Sequence, residues 1–358
     1  MHESISHPTA VMNGEGATEK LLTVVVPCYN SAAYMERAVD SLVAGGPEMD
    51  ILLVDDGSTD ETGAIADRLA AAHPGLIRVI HQPNGGHGAG LNQGIRTAQG
   101  LYFKVVDSDD RLDEKGLKAL LNLLRDHAAP ETQADLVIHD YVYDKGEKQA
   151  VFHIDYAGPL IQGRLFGWED CRPFSLTNQF IIHCLVYRTG LLREHQYTLP
   201  EHTFYEDNLY VYQPLPWTKK LLYLHETVYG YNVGRADQSV NEQNLIKRLD
   251  QLTSMITKMA TSWHLRDLNA LPKRLRHYMI NNVTGQIWSL AALHAIADTE
   301  ESRKMNRDMW EAIRAWDPDL YRAFLRNPTG FMAHASSPLG KKLLVAFYRL
   351  GHKVMNFG

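Results

Sequence analysis

Asp107-Ser108-Asp109-Asp110 places three carboxylates within four residues, directly after the apolar run Leu101-Tyr102-Phe103-Lys104-Val105-Val106. Acids crowded at the end of a buried strand are costly to leave unpaired, so a divalent cation or a polyhydroxyl ligand is a natural partner for them. A solvated turn or a helix N-cap is the plainer use of the same residues. A second pair, Asp55-Asp56, closes the apolar run Ile51-Leu52-Leu53-Val54 in the same way. Structural turns seldom need doubled acids at two adjacent strand ends. A third pair, Glu206-Asp207, opens a helical pattern, where it either complements the helix dipole or offers a base that accepts a proton.

The elements that must position these acids alternate. The β-branched run 21–26 stops at Pro27 and is followed by a helix over 32–44. A strand over 51–54 leads to a helix over 61–72, a strand over 77–80 to a helix over about 89–98, and the strand 101–106 then feeds the acid tetrad. Strands alternating with helices imply right-handed βαβ units and a mostly parallel sheet, whose ligands bind beyond the carboxyl ends of the strands. That rule brings the loops 27–30, 55–60, 83–90 and 107–110 to one edge. Farther on, a helix over 114–127, strands over 135–143 and 180–187, short helices at 190–195 and 206–215, and two strands at 221–224 and 228–231 are expected. From 241 onward the apolar positions repeat at helical spacing.

Composition narrows the classes. A net charge of −6 gives no global attraction to nucleic acid, and 22% charged with 45% hydrophobic residues suits a folded globular enzyme. Cys28, Cys171 and Cys184 show no Cys-x-x-Cys spacing, which argues against a disulfide framework or structural zinc and fits a reducing cytoplasm. No apolar stretch reaches 18 residues, and the N-terminal 20 residues have the composition of a mobile tail without an export signal. Gly85 to Gly94 fits neither a G-x-G-x-x-G nor a G-x-x-x-x-G-K-[ST] register. Dinucleotide and P-loop readings therefore fail.

Val24-Val25-Val26-Pro27-Cys28-Tyr29-Asn30, Val54-Asp55-Asp56-Gly57-Ser58-Thr59-Asp60, Asn84-Gly85-Gly86, Asn92-Gln93-Gly94 and Asp107-Ser108-Asp109-Asp110, in this order and spacing, resemble the nucleotide-sugar half of family 2 glycosyltransferases of the bacterial cell-surface polysaccharide type. The resemblance spans roughly residues 20–115. It implies a GT-A fold, an inverting transfer from a nucleotide-diphosphate sugar, most often a UDP-sugar, and Mn2+ or Mg2+ as cofactor. It also implies a division into a tail (1–20), a catalytic domain (21–240, with a nucleotide-sugar half to 115 and an acceptor half from 116) and a helical region (241–358). Carried over by position, Pro27 and Tyr29 flank the base, with Asn30 beside them. Asp56 binds the base N–H, Asn84 and Gly86 belong to the donor loop, and Asp107 and Ser108 sit near the ribose and donor sugar. Asp109 is the implied metal ligand, with Asp110 as the alternative.

Phe204-Tyr205-Glu206-Asp207-Asn208-Leu209 resembles the family's Glu-Asp motif. It implies Asp207 as the base, with Glu206 as its partner or replacement. In the segment 229–239, Arg235 either neutralises the departing diphosphate or is a solvated loop arginine, and Gln238 and Ser239 offer hydrogen bonds to phosphate oxygens. His87 either covers the pyrophosphate or is tolerated in its glycine turn, and His183 either faces the acceptor or fills the core. The acceptor class is a polysaccharide, a teichoic-acid-like polymer or a lipid-linked glycan. Residues 340–358 place Leu343, Leu344, Phe347, Leu350, Val354 and Phe357 on one helical face and Lys342, Arg349 and Lys353 on another. Such a helix either lies on the inner face of the plasma membrane as a peripheral contact or packs on the protein body. Two rival readings are a nucleotidyltransferase that forms nucleotide sugars and a non-catalytic protein that keeps the fold. The first wants a basic glycine-rich loop after the first strand, where Pro27-Cys28-Tyr29-Asn30 stands, and the second wants lost acids, which are present.

Overall fold

The computed structural model describes residues 20–144, 151–175, 178–232, 241–334 and 337–355. Its first half repeats strand and helix: β1 (Leu22–Cys28), α1 (Met35–Val43), β2 (Met49–Asp55), α2 (Thr62–Ala72), β3 (Ile77–His81), α3 (His87–Thr97) and β4 (Tyr102–Val105). β1, β2 and β4 are buried along their whole length, as strands covered on both faces of a parallel sheet must be. That is why they read in the sequence as unbroken apolar runs.

A two-residue strand, β5 (Arg111–Leu112), leaves the acid tetrad and leads into α4 (Glu114–Asp126). Asp113 caps this helix by accepting the Gly116 N–H at 2.8 Å. β6 (Leu136–Asp144), β7 (Val151–Ile154), β8 (Leu185–Arg188), α5 (Thr189–Glu194), α6 (Asp207–Tyr212) and β9 (Leu221–Asn232) complete the sheet layer. The strands run in the order β3-β2-β1-β4-β8-β6-β9-β5, with β7 on β6. β3, β2, β1 and β4 are mutually parallel, β8 is antiparallel to both β4 and β6, and β9 is parallel to β6. The carboxyl ends of the parallel strands thus share one edge, and β8 and β9 bring the second half of the chain to it.

The segment expected as a strand over 180–187 divides into a 3-10 turn at Ile182–Cys184 and β8. The pair expected at 221–224 and 228–231 is one strand, whose register on β6 shifts around Asp140. Exposed His225 and the polar residues beside it break the apolar pattern without breaking the strand.

The remainder is helical: α7 (Glu242–Lys247), α8 (Leu249–Ala260), α9 (Leu265–Ala270), α10 (Lys273–Ala297), α11 (Glu300–Trp316), α12 (Pro318–Arg326), α13 (Pro328–Ala333) and α14 (Pro338–Met355). α10 is the axis against which α8, α11, α13 and α14 pack. Tyr278 of α10 enters a ring cluster with Phe174 and Phe180, at 4.9 Å from each, and its hydroxyl accepts the Phe180 N–H at 2.9 Å. The helical region is therefore seated on the sheet through aromatic packing anchored by a hydrogen bond.

Candidate active site

The loops at the shared edge are braced against one another. Asn30, at φ +49°, receives the Thr59 N–H on its side-chain oxygen at 2.9 Å, and its own N–H donates to Ser58 Oγ at 3.0 Å. The Asn84 amide donates to the Asp56 carbonyl at 2.9 Å. Both asparagines thus hold loops together. Ser108 is buried and meets Ser31 Oγ at 2.8 Å, tying the acid tetrad to the loop after β1. Pro27 packs over Gly90, and Tyr29 projects half-exposed from the same loop.

Asp56, placed by resemblance on the base, is buried. Its carboxylate accepts the Gly85 N–H at 2.8 Å, the Gly86 N–H at 2.7 Å and the Gln82 amide at 2.7 Å. In this structure its bonds shape the glycine turn. Gly86 is at φ +85°, a conformation that glycine adopts without strain and other residues rarely hold.

His87, the first residue of α3, lies between the two acid motifs. Its Nδ1 is 2.6 Å from Glu206 Oε1, and its Nε2 is 3.3 Å from Asp107 Oδ1. Burial disfavours its charge, yet the bonds to Asp107 and Glu206 outweigh that penalty and hold the imidazole well above its usual range. Asp107 is in turn pulled down to about 2, against burial, by the His87 bond and the fields of His183 and His87. The plain reading of His87 as merely tolerated in its turn is thereby corrected. The bridge joins residues 119 positions apart, and no local pattern signals it.

Asp107, Asp110 and a ring nitrogen of His183 present ligand atoms within 4.8 Å of one another. Asp109, the first expectation for the metal, is outside this group; Asp110, the alternative, is within it. Asp110 is buried and accepts the Tyr229 hydroxyl and, at 2.7 Å, the Asn232 N–H. Burial, together with Asp107 and Asp109, pushes its carboxyl well above the usual range. A carboxyl so placed gains from a cation. His183 is buried, stacks on Tyr229 at 4.4 Å between ring centroids, and has an Nδ1 without a hydrogen-bond partner among the described residues. Burial pushes its imidazole down to about 4, leaving it neutral and able to ligate. The two carboxylates suit either Mn2+ or Mg2+, and the neutral imidazole beside them favours the transition metal Mn2+ over Mg2+, which takes oxygen ligands. His183 is thus a core residue that also faces the acids.

Behind this group lies Lys104, fully buried in β4. Its Nζ donates to the His183 carbonyl at 2.6 Å and lies 2.8 Å from His139 Nε2. Burial lowers its pKa to about 7. It fixes the backbone from which His183 projects.

On the facing side, Tyr205 at φ +70° turns the chain into Glu206 and Asp207 at the head of α6. Burial, then the neighbouring Glu206, raises the Asp207 carboxyl to about 7, while His87 acts the other way. A carboxylate tuned near neutral pH suits a general base. Asn92 closes the arrangement: its side chain donates to the Leu199 carbonyl at 2.9 Å and accepts the Leu199 N–H at 2.7 Å, pinning to α3 the loop that precedes Glu206. Arg235, Gln238 and Ser239 lie outside the described residues.

Residues 23–165 match the family model described as glycosyl transferase family 2. Glycosyltransferase GlyG of Streptococcus pneumoniae is 36% identical over 138 residues, 38% of this chain and 44% of that protein. Glycosyltransferase GlyA of the same organism is 25% identical over 254 residues, 67% of this chain and 34% of its own length. The chain thus spans less than half the length of either relative. Among solved structures, S. aureus TarS 1–349 superposes with a TM-score of 0.64 at 18% identity, covering 92% of both chains. At that identity the likeness is one of fold.

Proposed function

Because residues 23–165 belong to glycosyl transferase family 2, we propose that this protein, a GT-A fold with a helical C-terminal region, moves a sugar with inversion from a nucleotide-diphosphate sugar to an acceptor hydroxyl. The observation that carries the reading is the pair of facing acid groups at the carboxyl ends of the parallel strands: Asp107 and Asp110 with His183 on one side, Glu206 and Asp207 on the other, joined by His87.

Asp107, Asp110 and His183 would hold Mn2+ or Mg2+, with Asp109 beside them. When bound, the cation supplies positive charge against that of a diphosphate. Pro27 and Tyr29 would flank the base over the Asp56 turn, and the catalytic domain would extend to residue 240. Asp207 would accept the proton of the attacking hydroxyl, a role worth roughly 10²–10⁴-fold in rate. Glu206, held by His87, lies beside Asp207 and raises the proton affinity of its carboxyl.

The donor is proposed as a UDP-sugar, since TarS 1–349, which shares the fold, has been solved in complex with UDP-GlcNAc. The acceptor is proposed as a polysaccharide, a teichoic-acid-like polymer or a lipid-linked glycan, met at the cytoplasmic face of the membrane. A thermal-shift screen of nucleotide sugars with and without Mn2+ tests the donor: a UDP-sugar is expected to raise the melting temperature by mass action, more so with Mn2+. Asp207→Asn is expected to keep that shift and lose transfer by about a hundredfold or more. Near wild-type transfer by this variant would remove Asp207 from the base role.

A further inference from the structure

Helix α14 has two apolar faces, and only one is covered. Leu344 and Tyr348 are buried, Tyr348 at 6.2 Å between ring centroids from Trp288 of α10. Leu339, Leu343, Phe347 and Leu350 are instead 68%, 50%, 51% and 56% exposed, and Phe331 on the adjoining α13 is 70% exposed. At about 100° per residue the four α14 side chains fall within an arc of roughly 80°. Leu344 and Tyr348 lie beyond one edge of that arc, toward α10. Exposed Lys342 and Arg349 lie beyond the other.

So large a run of exposed apolar side chains marks an interaction surface. Its charge identifies the partner. From residue 338 to the end of the chain there are four basic residues, Lys341, Lys342, Arg349 and Lys353, and no acid, although the whole chain carries −6. A second copy paired ridge to ridge would bring like charge against like. A bilayer rich in anionic headgroups offers acyl chains to the apolar arc and negative charge to its basic edge. Among the described residues no helix is long and apolar enough to cross a membrane, so the contact is one of lying on the surface.

We propose that the ridge formed by Leu339, Leu343, Phe347 and Leu350 with Lys342 and Arg349 docks this protein on an anionic lipid surface. The ridge uses no residue of the acid site, so docking and sugar transfer can fail separately. The test is co-sedimentation of the full chain with vesicles of phosphatidylcholine alone and of phosphatidylcholine with phosphatidylglycerol, in low and high salt. Binding is expected only to the anionic vesicles and is expected to weaken with salt. Leu343→Ser with Phe347→Ser removes apolar contact at exposed positions, and Lys342→Glu with Arg349→Glu reverses the charge while keeping the apolar arc. Each pair is expected to weaken vesicle binding about tenfold or more and to leave the donor-induced thermal shift as in the wild type. Equal binding to both vesicle types, no binding, or unchanged binding by both variants overturns the proposal. So does sedimentation velocity showing a dimer that the Leu343→Ser, Phe347→Ser variant dissociates, which would assign the ridge to self-association.

Discussion

His87 is the residue on which the two acid groups depend. Its charge offsets Asp107 and Glu206 together, and it also lowers the proton affinity of Asp207, which burial and Glu206 raise to about 7. The signs fix a pH profile. As the proposed base, Asp207 accepts a proton only when ionised, so transfer at saturating substrate should climb with pH through about 7 and level off above it. His87→Gln removes a positive charge that favours the ionised form, and the midpoint should move to higher pH. Glu206→Gln removes a negative charge that disfavours it, and the midpoint should move lower. Initial-rate profiles of the three proteins decide the matter, and midpoints that stay together would show that Asp207 does not titrate in the rate-limiting step. The position of the Asp107 tetrad at the shared strand edge was legible from residue types and the alternation of strands and helices. The His87 bridge and the place of His183 were not, because both arise from contacts between distant segments.

At the scale of elements, α3 lies so close to the loop before Glu206 that Gly88 has no room for a side chain. An added Cβ would stand 2.3 Å from the Pro200 carbonyl oxygen and 3.1 Å from Glu206 Cγ. The carbonyl belongs to backbone and cannot rotate aside, so Gly88→Ala should push the loop from α3, lower the unfolding midpoint and reduce transfer. Gly285, inside α10, meets nothing within 4 Å. There Gly285→Ala should stabilise by about 0.8–1 kcal/mol through helix propensity alone. Paired urea titrations should therefore move in opposite directions, and parallel shifts would refute the packing argument. β1, β2 and β4 were legible in the sequence because burial on both faces writes itself as apolar runs. β5 and β7 are too short to show a period, with two and four residues. The stretch before β8 turns at Ile182–Cys184, its backbone held by Lys104 across 79 positions, which no window of local sequence contains.

For the whole molecule, the helical region meets the loop before Glu206 and Asp207 at the start of α8, which also packs on α6. Arg248 stands 3.9 Å above the Phe204 ring and hydrogen-bonds Tyr205, and Gln251 accepts the Phe204 N–H at 3.0 Å. The other end of the same loop is tied to the glycine turn, where the His202 N–H donates to the Gly85 carbonyl. His202 and Tyr205, at these ties, both have positive φ, a conformation that costs each of them about 1–3 kcal/mol and persists only where its surroundings hold it. A cation–π contact and a hydrogen bond contribute about 0.5–1.5 kcal/mol each. That sum is comparable with the strain at one such residue, so releasing it should let the turn before Glu206 and Asp207 relax in a sizeable fraction of molecules. Arg248→Ala with Gln251→Ala is accordingly expected to lower kcat for transfer by roughly tenfold while donor affinity, proposed to rest on the loops across the cleft, is kept. Arg248→Lys, which retains a cation but not the planar stack, should fall between the two. If donor affinity and kcat fall together, the helices support the sheet as a whole; a fall in kcat alone means that they hold the turn carrying Glu206 and Asp207.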